Sequence, residues 1–83
     1  MKKNIEITIL KENKVTPLIN KTVEIELNES NNVKELIEKL KPMVYELKYF
    51  QIVKEELYRG TQKLKEDKTV PPDNGIELEI TVK

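Results

Sequence analysis

The stretch Asn74-Gly75-Ile76-Glu77-Leu78-Glu79-Ile80-Thr81-Val82-Lys83 decides the fold. Ile76, Leu78, Ile80 and Val82 alternate with Glu77, Glu79, Thr81 and Lys83, which is the period-two pattern of a strand with one apolar and one polar face. Asp73-Asn74-Gly75 supplies turn chemistry just before it. A strand patterned this way fits a central position in a sheet, beside the first strand. That strand has the same pattern: Ile5, Ile7 and Ile9 alternate with Glu6 and Thr8, and isoleucine is β-branched and favours strands.

Lys11-Glu12-Asn13-Lys14 breaks the first alternation with a polar turn. A second strand is predicted from Thr22 to Leu27, with Val23, Ile25 and Leu27 on one face and Glu24 and Glu26 on the other. The two strands read as a hairpin with a long connection. Val15 to Asn20 is ambiguous, because Pro17 argues against a central strand while Val15, Leu18 and Ile19 are apolar.

Val33, Leu36, Ile37 and Leu40 fall at i, i+3, i+4 and i+7, one face of a helix. Asn32 is placed to cap it, with Glu35 completing a capping box. Pro42 ends the helix, and Met43, Val44 and Leu47 suit a further short turn. Tyr49 to Val53 is expected as a third strand, Lys54-Glu55-Glu56 as a tight turn, and Leu57-Tyr58 as a short strand closed by Arg59-Gly60. Residues 65–74 read as loop. The expected core is Ile7, Val23, Ile25, Val33, Ile37, Leu40, Phe50, Ile52, Leu57, Leu64, Leu78 and Ile80.

The order is hairpin, helix, strand, short strand, strand. The packing it implies is an α+β fold with one helix laid across one face of a mixed sheet of four to five strands. That is the β-grasp arrangement, expected here as a single domain over residues 1–83. Composition narrows the chemistry. Among 83 residues, 15 Lys plus Arg balance 15 Asp plus Glu, which argues against a nucleic-acid binder held by a basic surface. No Cys and no His occur, so thiol nucleophiles, thiolate metal sites and the usual general base at neutral pH are missing. No apolar run reaches the roughly 18 residues of a membrane span, and Met1-Lys2-Lys3-Asn4-Ile5 does not open like a signal peptide. The expectation is a cytoplasmic, non-catalytic chain that needs no cofactor or metal.

The chain resembles ubiquitin-fold proteins. The residues that carry the resemblance are Ile5/Ile7/Ile9, the second strand ending in Leu27, Val33-Lys34-Glu35-Leu36-Ile37, Phe50-Gln51-Ile52-Val53, Leu57-Tyr58-Arg59-Gly60, Leu64, Val70 and Gly75 to Ile80. The last of these, Asn74-Gly75-Ile76-Glu77-Leu78-Glu79-Ile80, looks most like the small bacterial YukD-like proteins of type VII (Esx) secretion loci. The resemblance implies an accessory or regulatory component of such a locus, with another protein as partner. The alternative is a small scaffold or effector subunit of a different complex. Modifiers of the ubiquitin type end in a glycine pair, whereas this sequence ends Thr81-Val82-Lys83 on its last strand, so conjugation is not expected. Ubiquitin's receptor-facing apolar position on the third strand corresponds here to Gln51.

The carboxylate neighbours Glu55-Glu56 and Glu66-Asp67 sit where turns are expected and point apart into water, which suits neither acid-base catalysis nor metal binding. Interaction surfaces are the better candidates. Glu6, Glu24, Glu26, Glu77 and Glu79 share the polar faces of the strands. With the last strand beside the first, Glu77 and Glu79 approach Glu6, and the like charges suit a basic partner. Otherwise Thr8, Thr22 and Thr81 dilute them into an ordinary solvated face. Val15, Leu18 and Ile19 either extend the hairpin or cover the edge of the core, or else form a contact patch. Met43 and Tyr45 either fold over the open end of the core or serve as partner anchors. The strands at the sheet margins can also pair with a second copy, giving a homodimer.

Overall fold

The computed structural model describes residues 2–72 and 74–83. Asp73 of the expected turn lies outside them. Five strands and one α-helix follow in order: β1 (Lys2–Lys11), β2 (Pro17–Glu26), α1 (Val33–Leu40), β3 (Ile52–Arg59), β4 (Gln62–Lys63) and β5 (Ile76–Val82). Two 3-10 turns, Lys41–Met43 and Tyr45–Tyr49, join α1 to β3.

The strands form one mixed sheet in the order β2-β1-β5-β3-β4. β5 lies parallel to β1, with Ile7 opposite Leu78 and Ile9 opposite Ile80. The other neighbours are antiparallel. The alternation of β5 therefore places it where a half-buried strand belongs, between two neighbours. The whole is an α+β arrangement consistent with a β-grasp-like layout.

One face of the sheet is apolar and receives α1. Ile5, Ile7 and Ile9 of β1, Leu57 of β3 and Ile76, Leu78, Ile80 and Val82 of β5 pack with Val33, Leu36, Ile37 and Leu40 of the helix. Eight of the twelve expected core residues are buried. Val23, Phe50, Ile52 and Leu64 are instead half-buried and pack against the margin of this cluster. Val23 is on the edge strand, and Phe50, Ile52 and Leu64 flank the ends of strands, so each has neighbours on fewer sides.

α1 begins as its sequence predicts. Asn32 Oδ1 accepts from the Glu35 amide at 2.9 Å, and the Asn32 amide donates to Glu35 Oε1 at 3.0 Å. The two remaining first-turn amides find carbonyls in the loop that follows β4: Val33 N–H donates to Lys68 O at 2.9 Å and Lys34 N–H to Glu66 O at 3.1 Å. The loop segment 66–68 thus closes the helix start, satisfying donors that a helix leaves unpaired.

Three expectations need correction. β2 runs from Pro17 to Glu26 and not from Thr22 to Leu27, so Leu18 and Ile19 extend the hairpin, one of the readings open for them. Pro17 is tolerated because it opens an edge strand, where a ladder bond is not needed on both sides. Tyr49 closes a 3-10 turn and does not start a strand. Lys54-Glu55-Glu56, expected as a turn, lies in the middle of β3. The charges there are strand residues facing alternate sides: Glu55 meets Lys41 of the first 3-10 turn at 2.8 Å, while Glu56 meets Lys54 at 3.3 Å and Lys63 at 2.8 Å. The actual turn is at Gly60, whose φ of 63° suits a residue without Cβ between β3 and β4.

Candidate functional site

The sheet face opposite α1 is the leading candidate. Register places its residues: Asn20, Thr22, Glu24 and Glu26 from β2, Lys2, Asn4, Glu6 and Thr8 from β1, Glu77, Glu79 and Thr81 from β5, and Lys54, Glu56 and Tyr58 from β3. Lys63 of β4 joins them opposite Tyr58. Six glutamates face three lysines on this surface.

The lysines sit away from the centre of this face, Lys2 at the start of β1 and Lys54 and Lys63 on β3 and β4. Lys2 meets Glu24 at 3.8 Å near the β2 side, and Lys54 and Lys63 both hold Glu56 on the β3 side. Among the described residues, Glu6, Glu77 and Glu79 of the middle rows have no such partner. Glu6 and Glu77 are directly opposite on neighbouring strands, the next pair along being Thr8 and Glu79. Only neutral groups support the first two. Asn20 Nδ2 donates to Glu6 Oε1 at 3.1 Å and to Thr8 Oγ1 at 2.9 Å, and Thr8 Oγ1 donates to Glu77 Oε1 at 3.3 Å. Two carboxylates side by side without a cation raise the local negative potential, which a positive ligand would relieve.

The acidic character reaches Tyr58. Burial pushes its phenol above the ordinary tyrosine range, and the charges of Glu56 and Glu79 push in the same direction. Glu56 moves the other way. Its hydrogen bond from Lys63 holds the carboxyl below the usual glutamate value against the opposing effect of burial, and Lys54 assists. The adjacent carboxylates Glu55 and Glu56 do not converge: they occupy opposite faces of β3, Glu55 with Lys41 and Glu56 with Lys54 and Lys63.

The remaining sequence candidates are distributed over other surfaces. Val15 is 94% exposed in the loop between β1 and β2, and Leu18 is 48% exposed at the start of β2. Both line a shallow hollow of about 450 Å³ with Lys11, Asn13, Lys14, Thr16 and Pro17. Ile19 is separate from them, half-buried and packed against the core. It serves as edge cover, one of the more ordinary roles expected of it. Glu24, Glu26 and Glu77 are on the sheet face described above.

Met43 and Tyr45 are both exposed, in the 3-10 segment. Tyr45 forms a small aromatic cluster that the sequence reading did not assemble. Its ring meets that of Tyr49 edge to face at 5.9 Å, and the two hydroxyls are 3.1 Å apart. Lys48 Nζ stands 3.8 Å from the Tyr45 ring centre. The Lys48 amine beside the hydroxyl, and then the Tyr49 hydroxyl, hold the Tyr45 phenol below its ordinary range. The i, i+4 spacing of Tyr45 and Tyr49 was the available signal, obscured by assigning Tyr49 to a strand. Glu56, Tyr58, Lys54 and Lys63 were missed for the same reason: the misplaced turn concealed the alternation Lys54, Glu56, Tyr58.

No protein-family model, curated protein or solved structure matches the chain. Among the described residues, no helix is long and apolar enough to cross a membrane.

Proposed function

We propose that this chain is a non-catalytic, ubiquitin-like interaction module that docks a basic segment of another protein on its outer sheet face. The observation that carries this reading is the Glu6–Glu77 pair with Glu79 beside it: a glutamate row in the centre of a face that α1 does not cover, supported by neutral donors and, among the described residues, without an ion-paired lysine. Lysines placed away from the centre would confine a cationic ligand to the middle rows. No covalent transfer is required, since binding uses charge and shape alone. The more specific reading is an accessory or regulatory component of a bacterial type VII secretion locus, of the YukD-like kind, with a cytoplasmic partner. Its support is the sequence resemblance of the segment from Asn74 to Ile80.

Charge reversal tests the docking surface. Both Glu24 and Glu77 are surface carboxylates, and Glu77→Lys sets a cation against Glu6, so the sheet should tolerate the change. Affinity capture from the source cells with the unmodified chain should recover a stoichiometric partner bearing a basic segment. The Glu24→Lys/Glu77→Lys variant, folded to the same extent by circular dichroism, should lose it. Equal recovery by both overturns the assignment of this face. The partner's identity separates the two biological settings: a secretion-system membrane component supports the type VII reading, and a single soluble enzyme supports a subunit of another complex.

A further inference from the structure

β2 is a margin of the sheet, and β1 is its one neighbouring strand among the described residues. It is 10 residues long, at the upper end of the usual range for a strand. Such an edge offers a row of unused backbone donors and acceptors. The opposite margin is better protected. β4 covers Tyr58 and Arg59, the Leu64 amide donates to the Leu57 carbonyl at 2.8 Å, and a bulge between Ile52 and Lys54 distorts the start of β3. The β2 ladder is regular from Ile19 to Glu26, its one irregularity lying beyond, toward Pro17.

We infer that β2 pairs antiparallel with β2 of a second copy of this chain, about a two-fold axis at Val23. In an antiparallel pair, residues directly opposite share a face, so each candidate axis passes through one residue and fixes all the others. An axis at Lys21 opposes two lysines. An axis at Glu24 opposes two glutamates, and one at Ile25 sets Glu24 against Glu26. An axis at Thr22 sets Glu26 against the apolar Leu18, next to the ladder irregularity. Only the Val23 axis suits every position from Asn20 to Glu26. Thr22, a hydroxyl donor, faces Glu24 of the partner copy, and the neutral Asn20 faces Glu26. On the helix side, Val23 meets its own symmetry mate. The stem of Lys21 lies against Ile25 while its amine stays on Glu46 of its own chain, 3.3 Å away.

Val23 is half-buried in the isolated chain, and the contact with its mate covers the exposed part. The contact is isologous and closes on itself, so it stops at a dimer. The axis runs perpendicular to the sheet. The two acidic faces therefore end on the same side of one continuous sheet, and the dimer presents two docking surfaces to one partner.

The absence of cysteine makes this register directly measurable. Opposed residues in an antiparallel pair have Cα atoms about 4.5–5.5 Å apart, within disulfide range. In the Val23-centred pair, the two Thr22 Cα atoms are displaced along the strand and about 8 Å apart, beyond that range. Sedimentation of the unmodified chain should give about twice its 9.8 kDa mass at high concentration. In a glutathione redox buffer, Val23→Cys should form a disulfide-linked dimer and Thr22→Cys should stay unlinked. A chain that sediments as monomer throughout overturns the inference. Cross-linking through Thr22→Cys in preference to Val23→Cys overturns the register. Loss of partner capture in the charge-reversed variant, with the dimer intact, would show that docking and self-pairing use separate surfaces.

Discussion

Glu56 carries more chemistry than its place in a run of charges suggests. Half enclosed between Lys54 and Lys63, it keeps its carboxyl below the ordinary glutamate value, with the Lys63 hydrogen bond as the largest cause. A carboxylate with a lowered folded-state pKa stabilises the fold at pH above the unfolded value of about 4.3. That contribution is lost as the pH falls through Glu56's own, lower value. Denaturation in urea across an acid pH series should therefore show the unmodified chain losing stability on acidification. Glu56→Gln, which cannot titrate, should be less stable near neutrality, and the gap should close as Glu56 becomes protonated. A gap independent of pH would mean that the lysines contribute packing and not charge.

At the scale of elements, α1 depends on its caps. It has only 8 residues, too few to be stable alone in water. Its start is held by the Asn32–Glu35 box and by carbonyls of the loop after β4. Asn32→Ala removes the side-chain acceptor for the Glu35 amide and should destabilise the protein by about 1 kcal/mol, measured by chemical denaturation. Asn32→Asp, which retains the acceptor, should restore most of it. The capping residues were legible in the sequence because capping is local: donor and acceptor are three positions apart. The loop carbonyls of Glu66 and Lys68 were not, since their pairing with the helix depends on a fold that brings residues 66–68 beside residues 33–34. β3 was misread for a related reason. Lys-Glu-Glu resembles a solvated turn when its partners are unknown, and Lys41 and Lys63 become partners only after the sheet forms.

At the scale of the whole molecule, stability rests on the apolar face shared by β1, β5, β3 and α1. Leu78 is fully buried at its centre, with Ile7 opposite on one side and Leu57 on the other. Leu78→Ala should cost about 2–5 kcal/mol through lost burial and the cavity left behind. Domains of this size have roughly 5–15 kcal/mol in total, so thermal or urea unfolding should move strongly and leave a marginal protein. A change below about 1 kcal/mol would place Leu78 outside the stability-determining core. Loss of partner binding in such a variant would follow from unfolding and would not identify a docking residue.

The sequence by itself determined which residues share a face along each strand and helix, because side-chain direction repeats every two or 3.6 residues whatever the surroundings. It placed the apolar stripe of β5, the isoleucines of β1, the helical face of α1 and its cap. Tertiary structure alone decided which faces meet. It set Glu6 against Glu77, left that pair to neutral donors, placed the lysines away from the centre of that face and left β2 as an open edge. Those relations join residues up to 71 positions apart, since strand register and order, and not local periodicity, bring distant charges together.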